Sequence, residues 1–130
     1  MATKHDILQN LGTRYSTAWS SGDPSAVGDF YAEDGQISIN RGDALVGRQA
    51  IIEMAAGFHA EFPDLEIRCD LMRAAGSHCI FVWTLDGHHA ETKNPGVVGG
   101  WDEWELDSDM KVKKSLQWFD AEEYQRQIDG

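Results

Sequence analysis

The spacing of apolar residues changes near Phe62-Pro63, and that change restricts the fold more than any other feature. Before Phe62-Pro63 the apolar residues recur mainly at helical spacing, apart from a short alternating segment at residues 36–40, and from Leu65 onward they alternate with polar residues as in strands. Helices followed by antiparallel strands are typical of an α+β fold. The sequence therefore predicts N-terminal helices packed into a strongly curved, mixed, mostly antiparallel sheet.

The first helix is predicted between Thr3 and Gly22. Thr3, with Asp6 three residues later, has the pattern of a capping box, in which each side chain bonds the other residue's backbone. Tyr15 and Trp19 lie one helical turn apart, so both side chains can point into the same interior space. A phenol aimed inward is a potential hydrogen-bond donor to a ligand, which makes Tyr15 a candidate site residue.

Two more helices are predicted before the strands. Asp23-Pro24 offers an N-cap and a proline at the first helical position, and this second helix is predicted to end at Asp34-Gly35. A third helix follows Gly47. It ends at Phe62-Pro63, because the residue before a proline disfavours helical geometry.

The remaining segments alternate as strands and close with a short helix. Gly76-Ser77 is a turn signal between two strands of a hairpin, and Asp107-Ser108-Asp109 joins a second hairpin. Asp120 is an N-cap for the last helix. The predicted strands cover residues 36–40, 65–73, 79–85, 97–106 and 111–119.

Length and charge exclude several classes of protein. A chain of 130 residues is predicted to form one domain over residues 1–130. Its 22 acidic and 11 basic side chains give a net charge of -11, which disfavours nucleic acid and anionic membranes as partners. No apolar run is long enough to span a bilayer, and no signal core is visible, so we expect a cytoplasmic protein. Cys69 and Cys79 lack metal-ligand spacing, and we expect no cofactor.

The order and spacing of six segments resemble the nuclear transport factor 2-like superfamily, and within it the SnoaL-like and ketosteroid-isomerase-like proteins. The resemblance covers nearly the whole chain and implies a cone-shaped fold that encloses a pocket, usually in a dimer. It rests on Arg14-Tyr15 with Gly22-Asp23, Phe30-Tyr31-Ala32-Glu33-Asp34, Gly47-Arg48, Phe62-Pro63-Asp64, Trp83-Thr84-Leu85-Asp86-Gly87 and Gly100-Trp101-Asp102-Glu103-Trp104.

The resemblance to ketosteroid isomerases implies two catalytic residues in this chain, whereas the position of the third is occupied by a residue that cannot act. Those enzymes use a tyrosine and a protonated aspartic acid as an oxyanion hole, and a second aspartate as base. Tyr15 and Asp102 fall on the first two positions, whereas Ile39 falls on the base. Isoleucine cannot accept a proton, so steroid isomerisation by the standard mechanism is disfavoured.

The resemblance to SnoaL-like cyclases implies two further candidates for acid–base catalysis. A histidine after a glycine turn places this role on His89, or on His88 if Gly87 forms a bulge, and an aspartate at the end of the last strand corresponds to Asp120. The residues themselves leave simpler roles open, because His89 fits a surface loop and Asp120 fits a helix cap. His88-His89 and Glu91 match no established ligand spacing, so no metal site is predicted.

Strand alternation divides the remaining side chains between the two faces of the sheet. Trp101, Leu116 and Trp118 are predicted on the outer face, where an exposed apolar patch favours a homodimer; the alternative is a cover formed by a helix of the same chain. The side chains predicted to bind the ligand are Trp19, Phe81, Trp83, Trp104, Ser115, Gln117 and Phe119.

These patterns predict a pocket protein for a small apolar organic molecule, carbonyl-containing or polycyclic. Acid–base catalysis without a metal, of isomerase, cyclase or hydrolase type, is one interpretation. In it, Tyr15 and Asp102 polarise an oxygen while His89 or Asp120 moves the proton. The alternative is a module without catalysis that binds a ligand or provides a dimeric scaffold.

Overall fold

The computed structural model describes residues 3–130, and within this range it contains four helices and six strands, which confirm the α+β prediction. The strands form a single curled, open sheet in the order β2-β1-β6-β5-β4-β3, in which only the β1–β6 pair is parallel. The elements are α1 Lys4–Ser20, α2 Pro24–Gly28, β1 Tyr31–Ile39, β2 Leu45–Val46, α3 Arg48–Glu61, β3 Glu66–Ala75, β4 His78–His88, β5 Pro95–Leu106, β6 Val112–Phe119 and α4 Ala121–Asp129.

The predicted helix caps are present. The Thr3 hydroxyl accepts a hydrogen bond from the Asp6 amide at 3.1 Å, and the Asp6 carboxylate accepts one from the Thr3 amide at 3.2 Å, which completes the capping box. The Asp23 carboxylate accepts from the Ser25 amide at the start of α2. Because these signals act within a few residues, they place the helix starts correctly.

The predicted end of the second helix is wrong. The helix stops at Gly28, and Tyr31 begins β1 by pairing with Val112 of β6. The strand then bulges between Tyr31 and Gln36, where a Cβ on Gly35 would lie only 2.8 Å from the Val112 carbonyl oxygen. Pairing with a distant strand therefore overrides the local helical pattern, and Gly35 permits the close approach within the bulge.

Two long hairpins position the interior side chains. β4 pairs with β5 without interruption from His78 to His88, so Gly87 forms no bulge. β5 pairs with β6, and this register sets Asp102 opposite Gln117 and Trp104 opposite Ser115 on the inner face of the sheet. α1 packs on β3, and α4 packs on β5. None of the helices within residues 3–130 has the length and apolarity needed to cross a membrane.

Candidate functional site

A small, mostly aromatic cavity lies between the inner face of the sheet and helices α1, α3 and α4. Its volume is about 30 Å³, which is room for about two water molecules. Asp102 is the only acidic or basic side chain among the residues that line it. The lining residues are Tyr15, Trp19, Phe58, Ile67, Phe81, Trp83, Leu85, Val98, Asp102, Gln117, Phe119 and Tyr124.

The carboxyl group of Asp102 is buried on the cavity wall, with only 1% of the residue exposed. Its Oδ1 accepts a hydrogen bond from the Trp83 indole N–H at 3.0 Å. Burial raises the pKa of Asp102 from 3.8 to about 7, although the bond from Trp83 and the nearby Gln117 and Trp104 side chains favour the charged form. None of the ion pairs formed within residues 3–130 includes Asp102. The cavity therefore contains an unpaired carboxyl group that titrates near neutral pH.

Two buried phenols stand beside this carboxyl group. The hydroxyl oxygens of Tyr15 and Tyr31 lie 2.9 Å apart in a hydrogen bond. Burial raises the pKa of both phenols well above its ordinary value, and nearby Asp102 raises it further, so both stay neutral. Only one hydroxyl can donate across this bond. When Tyr31 donates to Tyr15, the Tyr15 proton is free for a ligand in the cavity.

Where α3 and α4 meet the cavity, the Phe58 ring stands roughly perpendicular to three neighbouring rings. The Phe58 ring centroid lies 6.0 Å from that of Trp19 and 6.4 Å from those of both Phe119 and Tyr124, with interplanar angles of 73° to 77°. The Tyr124 hydroxyl donates to a Glu61 carboxylate oxygen at 2.7 Å. We call the rings of Trp19, Phe58, Phe119 and Tyr124 the aromatic box.

The family of the chain follows from comparison with known sequences, in which the profile of the SnoaL-like domain matches residues 13–114. The chain belongs to the SnoaL-like domain family. No curated protein matches it in sequence. The chain also shares its fold with solved structures, one of which has a ketosteroid isomerase-like fold, as the segment order predicted.

Solved structures with this fold differ widely from the chain in sequence. A protein from Catenulispora acidiphila, with a ketosteroid isomerase-like fold and in complex with trimethylamine, is 19% identical with a TM-score of 0.83, over 92% of each chain. A candidate polyketide cyclase from Xanthomonas campestris pv. campestris is 18% identical, with a TM-score of 0.84 over 97% of this chain and 99% of its own. AclR from Streptomyces galilaeus, a candidate hydroxylase, is 15% identical, with a TM-score of 0.82 over 97% and 98%.

The SnoaL-like domain brings most of the predicted site residues together. Tyr15 and Asp102 both line the cavity. Trp104 and Ser115 are fully buried on the same inner face but stand behind the lining, where the Trp104 Nε1 and Ser115 Oγ atoms have no hydrogen-bond partner within residues 3–130. The predicted ligand-binding residues that line the cavity are Trp19, Phe81, Trp83, Gln117 and Phe119.

His89 and Asp120, which the resemblance to SnoaL-like cyclases implied as acid–base residues, do not line the cavity. His89 follows β4, and its Nδ1 accepts hydrogen bonds from the Glu91 and Thr92 amides at 3.2 and 3.3 Å. Asp120 is exposed, and its Oδ1 accepts from the Glu123 amide at 3.0 Å as the N-cap of α4. Their polar atoms hold a turn and a helix start. His88 is exposed too, and bonds Asp64 at 2.7 Å.

The predicted site lacks the aliphatic lining residues Ile67, Leu85 and Val98, and it also lacks three aromatic residues. Tyr31 was assigned to a helix, whereas it begins β1 and bonds Tyr15. Phe58 lies on α3 and Tyr124 on α4, and no pattern in the sequence indicates that they face a cavity. Both become wall residues because α3 and α4 close over the sheet. Within residues 3–130, no group of three or more His, Cys, Asp or Glu side chains is arranged to hold a metal ion.

Proposed function

We propose that this SnoaL-like domain binds a small, mostly apolar organic molecule in the cavity and moves a proton on it with Asp102. The observation that carries the proposal is the burial of an unpaired carboxyl group, with a pKa of about 7, on the wall of an aromatic cavity. A group whose pKa lies near the ambient pH is present in both protonation states, which suits a general acid and base. A buried carboxyl group also costs stability, and such costs are typical of functional sites.

In the proposed reaction, Asp102 and Tyr15 have different chemical roles. The Asp102 carboxylate would take a proton from the carbon next to a ligand carbonyl, and the Tyr15 hydroxyl would stabilise the oxygen that gains negative charge. Asp102 would then return the proton to the same carbon or a neighbouring one. One carboxyl group serves both steps, which favours isomerase-type chemistry over a reaction that needs separate acid and base.

The size of the cavity restricts the ligand. About 30 Å³ accommodates a few non-hydrogen atoms, so the polycyclic compounds considered from sequence fit only if the walls move. Phe58 and Phe119 are the half-buried rings among the lining residues, so we expect these side chains to shift. Small ketones are therefore the first molecules to test.

Deuterium exchange of small ketones measures the proposed step directly. With acetone or cyclobutanone in D₂O at pH 7, we expect wild-type protein to accelerate exchange next to the carbonyl, and Asp102→Asn to lower that acceleration about a hundredfold or more. Tyr15→Phe should lower it by a similar factor, because it removes the donor to the developing oxyanion. Asp43→Asn removes an exposed charge and should leave the rate unchanged. Equal rates for wild type and Asp102→Asn would reject Asp102 as proton carrier.

A binding module without catalysis is the second candidate. It is favoured by the small volume and by the absence of a second acid or base among the residues that line the cavity. This candidate predicts that small ketones perturb the Trp83 indole N–H signal in NMR spectra while exchange stays at the rate in buffer. The two measurements on one sample therefore separate binding from chemistry.

We also propose that two copies associate through the outer face of the sheet. Trp101 is 44% exposed, and its ring stacks on that of half-buried Trp118 with centroids 6.4 Å apart. Half-buried Leu116, opposite Glu103, extends this apolar area. An exposed apolar patch of this kind is typical of interfaces.

Sedimentation at micromolar concentration tests the association. We expect a dimer for the wild type and a monomer for Trp101→Glu, because a buried, unpaired carboxylate opposes the interface. Val46→Glu places the same charge on an exposed apolar position of β2 and should remain dimeric. A monomeric wild type contradicts the proposed interface.

A further inference from the structure

We propose that the cavity also binds a second class of ligand, small alkylammonium ions, held by the Asp102 carboxylate and the aromatic box. This inference rests on the proposed function, since the ion would pair with the same buried carboxyl group that carries the proton. A bound ammonium ion would therefore compete with a ketone for the cavity.

The charge follows from the surroundings of Asp102. Its carboxyl group is buried, while no Lys, Arg or His side chain lines the cavity. Trp83 donates one hydrogen bond to the carboxyl group, and the nearby Gln117 and Trp104 side chains also favour its charged form, but none of these groups carries a positive charge. A buried carboxylate is costly unless a positive group pairs with it, and a cationic ligand would supply that partner. The net charge of -11 attracts cations over a longer range.

The shape follows from the aromatic box. Phe58 meets Trp19, Phe119 and Tyr124 nearly edge to face, at 73°, 73° and 77°, and all four residues line the cavity, so its aromatic walls lie in more than one plane. Walls of this kind enclose a compact, rounded group better than a flat one. Aromatic rings also attract cations through their electron-rich faces, and cages of this type recognise methylated ammonium groups.

The aliphatic walls and the volume agree with methyl substituents. Ile67, Leu85 and Val98 line the cavity and offer apolar contacts without polar partners. About 30 Å³ limits the ion to a few non-hydrogen atoms. Trimethylammonium combines this size with a rounded apolar surface and one N–H for the carboxylate. An anion would meet Asp102 without a compensating positive charge.

NMR titration with three probes of similar shape tests the charge. At pH 8 and constant ionic strength, trimethylammonium chloride should shift the Trp83 indole N–H signal in a saturable way, with an affinity at least tenfold higher than that of neutral tert-butanol. Pivalate, the anion of matching shape, should not bind. Asp102→Asn should lower trimethylammonium affinity at least tenfold, whereas the exposed Asp43→Asn variant should bind as the wild type does.

A second variant tests the aromatic box without altering the carboxyl group. Phe58→Leu keeps an apolar wall but removes one ring, so it should weaken trimethylammonium about threefold to tenfold and leave tert-butanol affinity nearly unchanged. Binding of tert-butanol as tight as that of trimethylammonium would overturn the ammonium inference and leave the proposed function standing. The same holds if trimethylammonium causes no shift while ketone exchange still depends on Asp102. Loss of Asp102-dependent exchange with retained ammonium binding would instead reject the proposed chemistry.

Discussion

Asparagine in place of Asp102 is expected to stabilise the folded protein by about 4 kcal/mol at pH 8 and to change its stability little at pH 4. The figure follows from the rise in the Asp102 pKa from 3.8 to about 7, which burial causes. Asparagine avoids the cost of a buried charge, and its side-chain oxygen still accepts from Trp83. A gain in stability from the loss of a candidate catalytic group is typical of functional sites.

The sign of the effect comes from proton binding. Between pH 4 and 7 the folded chain retains the Asp102 proton while the unfolded chain has lost it, so stability falls as the pH rises. Above about pH 7 both states carry the charge and this contribution becomes constant. Tyr15 from α1 and Tyr31 from β1 face the same region, and both stay neutral because their pKa values are raised.

Urea unfolding at pH 4, 6 and 8 measures this difference. The free energy of unfolding of wild type minus that of Asp102→Asn should be near zero at pH 4 and become progressively more negative toward pH 8. The other carboxylates are the same in both proteins, so their contributions cancel in the difference between the two free energies of unfolding. Asp43→Asn is the same substitution at an exposed position, and its free energy of unfolding should change with pH as that of the wild type does. A parallel Asp102→Asn curve would show that Asp102 has an ordinary pKa in the folded protein.

The sequence was sufficient for features that depend on neighbours along the chain. Caps placed the starts of α1 and α2, and alternation placed Asp102 and Gln117 on the inner face, because each rule acts within a few residues. The end of α2 was missed because a parallel pairing between Tyr31 and Val112, far apart in sequence, decides it. Helix caps and apolar spacing depend on residues that are near in sequence, so they do not predict that contact.

The candidate site was predictable only in part, for a related reason. Tyr15 and Asp102 were found because the order of segments resembles a known family, and the cavity contains both. The same resemblance implied acid–base roles for His89 and Asp120. Their polar atoms instead form hydrogen bonds in a turn and in a helix cap, away from the cavity lining. The volume of the cavity depends on how α3 and α4 lie over the sheet. Residue order alone does not determine that packing.

Alanine in place of Gly100 is expected to destabilise the protein by about 3 kcal/mol, the upper part of the usual range for overpacking. A Cβ at this position would collide with the Trp118 carbonyl oxygen and lie 2.6 and 2.8 Å from two ring atoms of Trp83. Only a movement of the β5–β6 backbone can relieve the clash with the carbonyl oxygen, whereas a shift of the Trp83 ring would relieve the other two contacts. Gly99→Ala is the matched control, since its Cβ would meet only the Trp83 carbonyl oxygen at 3.8 Å.

The displacement of Trp83 links this packing defect to the chemistry of the cavity. The Trp83 indole N–H bonds the Asp102 carboxyl group and favours its charged form, so a displaced ring should raise the pKa of Asp102 above about 7. Urea unfolding measures the stability change, and the ¹³C shift of the Asp102 carboxyl group against pH measures the pKa. A destabilised Gly100→Ala protein with an unchanged Asp102 pKa would mean that the strand moves instead of the ring. If both change while Gly99→Ala changes neither, Gly100 sets the proton affinity of a carboxyl group that it never touches.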